Sequence, residues 1–179
     1  MGAKYDQCVH TMKCSEGKSD LGTHEIYLPS YDETLDMWAP MRIEIVHFCE
    51  KDMASGYGTP FIDPLGRPWR QWPHTHYCAE MYVLMGTDPE NPMDLGGKFE
   101  LWLGAGEEAE RFVFDKTTVI HIPAGVAHMP MRVLELERPF ILVAMPLAPG
   151  FHDKEQIETL PPGIEPPQWA LDRYPEYFE

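Results

Sequence analysis

Two imidazoles and a carboxylate lie within one short segment of this chain, His74-Thr-His76-Tyr-Cys-Ala-Glu80. Side chains two positions apart in a β-strand point to the same face, so His74, His76 and Glu80 are predicted to share one face of a strand. Imidazole nitrogens and a carboxylate oxygen that converge in this way are suitable ligands for a divalent metal ion of borderline softness. The spacing therefore predicts part of a metal site.

A fourth ligand has to come from elsewhere in the sheet, and His128 is the leading candidate. The segment Pro123-Ala-Gly-Val-Ala-His128 follows the apolar stretch Val119–Ile122 and carries the proline and glycine of a tight turn. We therefore expect His128 to complete the set.

These two segments resemble the paired motifs of the cupin superfamily, G(x)5HxH(x)3–4E(x)6G and G(x)5PxG(x)2H(x)3N. The first is present as HTHYCAEMYVLMG, which closes on Gly86 one residue early, and its leading glycine, if Gly66, stands two residues too far upstream. The second is intact as PAGVAH, with Thr117 and Arg132 at the positions of its first glycine and last asparagine. The resemblance covers residues 66–132 directly and, by barrel topology, 40–146. No departure removes a ligand.

The resemblance implies an all-β fold, a single cupin barrel (a double-stranded β-helix or jelly roll) with short peripheral helices. It implies one divalent transition-metal ion per chain, with Fe(II) favoured and Mn(II), Zn(II), Ni(II) or Cu(II) as alternatives. Four protein ligands leave two positions open on a six-coordinate ion, as a catalytic site requires. We expect a metalloenzyme for a small organic acid or an oxygenated aromatic substrate, with a dioxygenase-type oxidoreductase favoured.

Three alternatives stay open at this point. The first is a metal-dependent lyase, isomerase or decarboxylase. The second is a non-catalytic barrel that binds or senses a small molecule. The third is a barrel that retains the four polar residues for structure alone.

Strand alternation indicates further residues around the site. Tyr82 shares the parity of Glu80 and is predicted to orient a substrate or donate a proton, with core packing as the alternative. Arg132 shares the parity of His128, so its guanidinium would bind a substrate carboxylate unless it pairs with an acid such as Glu135. The predicted substrate-binding residues are Arg132, Trp72, His47 and Trp102.

Eighteen prolines and fourteen glycines punctuate short segments rich in β-branched and aromatic residues, which favours a sandwich or barrel. We expect an N-terminal arm and edge strand over 1–39, a barrel over 40–150, and a tail over 151–179 that packs on the barrel or a second subunit. Short helices are predicted at Tyr31–Trp38 and Lys154–Thr159. The predicted strands are Arg42–Phe48, Tyr77–Met85, Lys98–Leu103, Arg111–Phe114, Val119–Ile122, Met131–Leu136 and Phe140–Met145.

Charge and cysteine usage restrict the partners. A formal net charge of −15 disfavours nucleic acids and anionic membranes, and no apolar run is long enough to span a bilayer. The four cysteines show no paired spacing, and the chain starts without an apolar signal region, so a cytoplasmic protein is expected. A small-molecule substrate and a homodimer are the predicted partners, because an open barrel edge needs covering.

Overall fold

The structure is a computed structural model that describes residues 13–14, 25–27, 43–62, 68–148 and 154–178. Fourteen strands fall within this part of the chain. In chain order they are β1 Lys13–Cys14, β2 Glu25–Tyr27, β3 Glu44–Phe48, β4 Ala54–Ser55, β5 Thr59–Ile62, β6 Pro68–Gln71, β7 His74–His76, β8 Glu80–Met85, β9 Asp94–Leu103, β10 Glu110–Lys116, β11 Thr118–Ile122, β12 His128–Leu136, β13 Phe140–Pro146 and β14 Lys154–Gln156.

Helical structure is short. It consists, over the described residues, of α1 (Gln168–Arg173) and two 3₁₀ turns at Gly106–Glu108 and Pro175–Tyr177. The helix predicted at Lys154–Thr159 is wrong, because its first three residues form β14, which pairs with β7. The helix predicted at Tyr31–Trp38 lies outside the described residues. Among the helices that the structure describes, none has the length and apolarity to span a membrane.

The strands form two sheets that face each other, with every pairing antiparallel. Sheet 1 has the order β1-β2-β3-β13-β8-β11, and sheet 2 has the order β10-β9-β12-β7-β14, with β4 also paired to β12. A separate hairpin joins β5 to β6. The predicted all-β jelly-roll barrel is confirmed by this arrangement, and all seven predicted strands are present with shifted ends.

Buried and half-buried residues alternate strictly along the central strands. On β8 and β13 every second side chain is buried, which places one face of each strand in the core and leaves the other partly in contact with solvent. The sequences themselves, EMYVLM and FILVAMP, are nearly continuous apolar runs that do not show this period. The prediction located both strands from their apolar composition and from the Gly and Pro breaks around them.

The barrel interior has an aromatic end and a histidine end. Phe48 and Phe140 of sheet 1 pack against Phe99 of sheet 2, with ring centroids 5.4 and 6.1 Å from that of Phe99. Along β13, Pro146 pairs with Glu80, about 20 Å from Phe140 at the strand rise of roughly 3.3 Å per residue. The apolar cluster closes one end of the barrel and leaves the other end to the polar residues.

Candidate metal centre

Three histidines meet on the inner face of sheet 2. His74 and His76 occupy alternate positions of β7 and are both buried, whereas Thr75 between them is only half-buried. His128 begins β12 and lies directly opposite His74 in the β7–β12 register. The ligand nitrogens of His74, His76 and His128 all lie within 4.8 Å of one another.

Glu80 reaches the same point from the opposite sheet. The chain leaves sheet 2 after His76 and enters sheet 1 at Glu80, the first residue of β8. The prediction that His74, His76 and Glu80 share one strand face is therefore wrong, although the three side chains do converge. They converge because the inner faces of two sheets oppose each other across the core.

The distances fit a single ion. Glu80 Oε2 lies 3.0 Å from His128 Nε2 and 3.6 Å from His76 Nε2. Two ligand atoms about 2.1 Å from one ion and at right angles to each other are about 3 Å apart. All four side chains are at most 5% exposed, so the donor atoms converge in the interior. We call His74, His76, Glu80 and His128 the ligand set.

The backbone orients the imidazole of His74. Its Nδ1 lies 2.8 Å from the carbonyl oxygen of Trp72, which can only accept a hydrogen bond. Nδ1 is therefore the protonated nitrogen, and Nε2 is left to coordinate. His128 has a longer contact of the same kind, 3.5 Å from Nδ1 to the carbonyl of Val126.

The predicted tight turn before His128 is present. Val126 N–H donates to the carbonyl of Pro123, and Gly125 occupies the third position with a φ of +78°, which a type II turn requires. Gly125 N–H donates to the carbonyl of His76 at 2.9 Å. The turn therefore contacts the ligand strand β7 as well as bringing the chain into β12.

A bulge after His128 changes the parity of β12. The register with β9 advances from His128–Leu103 to Met131–Leu101, three residues on one strand against two on the other. Met131 is consequently a core residue, and Arg132 is turned to the outer face. The parity argument that placed Arg132 beside His128 is wrong for this reason.

Arg132 is engaged by a protein carboxylate on that outer face. Its Nη2 and Nε lie 2.6 and 3.2 Å from Asp52 Oδ1. The acid that we expected as an alternative partner, Glu135, instead accepts from Lys98 at 2.8 Å. The choice left open by the sequence is thus resolved towards an ion pair within the protein.

Trp102 also lies on the outer face of sheet 2, because it alternates with the core residue Leu101. Its Nε1 donates to Glu100 Oε1 at 3.3 Å, and Arg111 donates to the other oxygen of that carboxylate. Burial, followed by the negative charge of Glu100, raises the pKa of the nearby Tyr57 hydroxyl. The predicted pocket wall at Trp102 is instead part of an outer polar cluster.

His47 and His121 are not brought to the ligand set either. His47 alternates with the core residues Val46 and Phe48 on β3, so it points away from the interior. His121 is exposed on β11. Both therefore differ from the three buried histidines.

Tyr82 is brought to the site. It is 3% exposed, it follows Glu80 by two residues on the inner face of β8, and its ring lies edge-on to His128 with centroids 5.9 Å apart. Cys78, a free thiol, is buried in the connection between β7 and β8. Tyr82 therefore lies beside the ligand set, as predicted from its parity with Glu80.

Trp72, predicted to bind substrate, makes contacts through both its ring and its backbone. The ring contacts Gly58 and the Arg70 guanidinium, and the backbone carbonyl accepts a hydrogen bond from His74 Nδ1. Sequence reasoning missed this backbone role. A residue two positions before a ligand histidine carries no side-chain signal for it.

No family model and no curated protein matches this chain. Solved structures with a similar fold include an oxalate decarboxylase of Lactobacillus farciminis in complex with formate (13% identity, 82% of this chain and 33% of that chain, TM-score 0.47). An oxalate oxidase in complex with the substrate analogue glycolate (13%, 65% and 49%, 0.39) and the DMSP lyases RdDddP and RnDddQII (13%, 66% and 44%, 0.36) also match. The chain spans less than half the length of each of these chains. The strand order and the inward-facing motif residues agree with the resemblance to the cupins.

Proposed function

We propose that this chain is a mononuclear metalloenzyme in which the ligand set holds one divalent transition-metal ion. The observation that carries the proposal is the convergence of three buried imidazoles and a buried carboxylate from two opposing sheets. Three neutral nitrogen donors and one anionic oxygen suit Fe(II), Mn(II), Zn(II), Ni(II) or Cu(II). Fe(II) is the metal that we favour, for the dioxygenase chemistry below.

The substrate that we propose is a small organic acid or an oxygenated aromatic compound whose oxygen atoms approach the centre directly. A divalent ion at this position supplies Lewis-acid or redox chemistry to those oxygens. Tyr82, Ile122 and Met129 belong to the apolar core and are neighbours of the ligand set, since Tyr82 contacts His128, Ile122 pairs with Glu80 and Met129 follows His128. We leave Arg132 out of the proposed substrate site, because Asp52 pairs with its guanidinium on the outer face.

Tyr82 is the residue that we propose to hold or move a proton. Its ring stands beside His128 on the inner face, and a phenol within hydrogen-bond reach of a substrate can donate a hydrogen bond or a proton to it. The ligand carboxylate Glu80 stands two residues away on the same strand. The position is therefore suited to orienting an oxygen-bearing group.

Within this proposal we favour a dioxygenase-type oxidoreductase, with a lyase, isomerase or decarboxylase as the alternative that the same donor set supports. The experiment is elemental analysis of protein purified from cells grown without added metal, followed by O2-uptake measurements with a panel of carboxylates and phenols. About one equivalent of iron with O2 uptake supports the dioxygenase. Zinc, manganese or nickel with turnover but without uptake supports the alternative.

Two results would contradict the proposal at different levels. Protein that takes up no divalent metal even after reconstitution would contradict the metal site. A metal-loaded protein that binds a panel member unchanged, and shifts its oligomeric state on binding, would support a sensing module instead of an enzyme. The homodimer remains a prediction, and a monomer mass by light scattering at micromolar concentration would contradict it.

A further inference from the structure

The guanidinium of Arg70, on β6, is surrounded by three aromatic rings. Its guanidinium carbon lies 4.7 Å from the ring centroid of Trp72, 5.4 Å from that of Tyr177 and 5.7 Å from that of Phe178. Its Nε donates to the carbonyl of Gly58 at 2.7 Å. The cation thus joins β6 to the last described residues of the chain.

The backbone of the 175–178 turn completes this contact. Arg70 Nη2 donates to the carbonyl of Tyr177 at 2.8 Å, so the guanidinium both stacks on the aromatic pair and holds the main chain that carries it. A planar guanidinium can do both at once, because its N–H donors point outward within its plane while its faces remain free to stack on rings. We call Arg70, Tyr177 and Phe178 the latch.

The ring, the backbone N–H and the backbone carbonyl of Trp72 each make a contact next to this latch. Its ring lies between Arg70 and Gly58, where a Cβ on the glycine would approach the ring to 2.4 Å. The backbone N–H of Trp72 donates to Gln156 Oε1 at 3.2 Å, and its backbone carbonyl accepts from His74 Nδ1 at 2.8 Å. The contacts of Trp72 therefore run from the latch to a residue of the ligand set.

The C-terminal segment that carries Tyr177 and Phe178 also pairs with the ligand strand β7. β14 lies beside β7, with Gln156 opposite His74 and Lys154 opposite His76. Ile157 N–H donates to the carbonyl of Pro73 at 2.7 Å, one residue before His74. Residues 154–178 thus contact both the strand and the tryptophan that precedes it.

We propose that the latch sets the metal affinity of the centre by fixing the Trp72 carbonyl against His74, so that Arg70 is a positioning residue for a ligand that it does not touch. The inference rests on the proposed metal site. Groups that hydrogen-bond the far nitrogen of a ligand histidine fix its tautomer and ring orientation, and their loss commonly weakens metal binding about 10- to 100-fold. The latch contacts Trp72 and not the histidine itself, so we expect its loss to weaken metal binding by the lower end of that range, about 10-fold.

Co(II) titration of the full-length protein tests the proposal, with the dissociation constant and the visible d–d spectrum as readouts. Arg70→Ala and a chain shortened to end at Glu176 are each expected to bind Co(II) about 10-fold more weakly, in keeping with a loss of outer-shell support. Each is also expected to show an altered d–d spectrum at saturation, since His74 no longer holds its orientation. Combining the two changes should weaken binding no further, because both remove the same latch.

Arg173→Ala is the matched control. It removes an arginine from the same segment that stacks on a different ring, Tyr174, at 5.1 Å. We expect this variant to retain the wild-type Co(II) affinity and spectrum. A loss of thermal stability in Arg70→Ala without any change in affinity or spectrum would mean that the latch is only structural, and the proposal would be overturned.

The outcomes separate the two proposals. If the wild-type protein binds no Co(II), the metal site itself fails. If it binds Co(II) and the latch variants bind equally well, or if their effects add in the combined variant, the latch fails while the site stands. If Arg70→Ala does not fold, the shortened chain and Phe178→Ala decide the question by the same two readouts.

Discussion

His74 and His128 face each other across the antiparallel pair β7–β12, with ring centroids 4.4 Å apart. Glu80, only four residues after His76, approaches them from the other sheet. The ligand set therefore spans the two layers of the barrel. An ion bound there would connect sheet 1 to sheet 2, so it should stabilise the fold in addition to taking part in the reaction.

Metal binding is expected to raise the free energy of unfolding. A ligand that binds only the folded state at 100 times its dissociation constant contributes about 2.7 kcal/mol. His128→Ala should lose this stabilisation together with most of the bound metal, because it removes one of the four proposed ligands, the imidazole 3.0 Å from the Glu80 carboxylate. Thermal unfolding with and without added metal measures the effect. His121→Ala, which removes an exposed imidazole, is the control and should behave as the wild type.

Tyr82→Phe is expected to lower turnover while metal content and folding are retained. The change removes only the hydroxyl and keeps the ring that packs beside His128. If the hydroxyl moves a proton, kcat should fall about 10²- to 10⁴-fold. Steady-state kinetics normalised to metal content is the measurement. Unchanged kcat in the metal-loaded variant would assign Tyr82 to core packing.

Arg132→Gln is expected to leave metal content and KM unchanged. The guanidinium pairs with Asp52 on the outer face, and both side chains are about a third or more exposed, so the pair should contribute only about 0.2–1 kcal/mol to stability. Denaturant unfolding and substrate titration are the measurements. A large rise in KM would return Arg132 to the substrate site and contradict its placement after the bulge.

Phe99→Ala is expected to destabilise the barrel by about 3–5 kcal/mol, the usual range for a buried phenylalanine. Phe99 is fully buried and contacts Phe48 and Phe140 of the opposite sheet, so its loss leaves a cavity between the layers. Val113→Ala on the neighbouring strand β10, where the side chain is exposed, is the control and should cost far less. Urea unfolding curves compare the two.

Asp94→Asn is expected to destabilise the protein at neutral pH and to have little effect in strong acid. The hydrogen bond from Arg138 holds the pKa of the Asp94 carboxyl below its ordinary value of 3.8. A carboxyl with a lowered folded-state pKa contributes stability above its unfolded pKa and loses it as the pH falls through the folded one. The difference between wild type and variant should thus shrink below about pH 4. Arg138→Gln should show the same pH dependence, because it breaks the same pair.

Much of the site was visible in the sequence, and the reason is local. Apolar composition between Gly and Pro breaks marked β8 and β13 as strands, and the Pro123–Gly125 turn signalled the entry into β12. The residue types at His74, His76, Glu80 and His128 indicated a donor set, because few other roles place four such side chains near apolar strands. Each of these features depends on neighbours within a few residues.

Sequence alone indicated seven of the strands and the side chains that can bind a metal, because both follow from residue type and short-range spacing. Only the tertiary structure decided that Glu80 belongs to the sheet opposite His74, since a break of three residues between strands gives no sign of a change of layer. It also decided that Arg132 faces outward, because a bulge shifts the parity of a whole strand without any mark in its composition. The partners of Arg132 and of Trp72, Asp52 and Gln156, lie 80 and 84 residues away along the chain, and only folding brings them into contact.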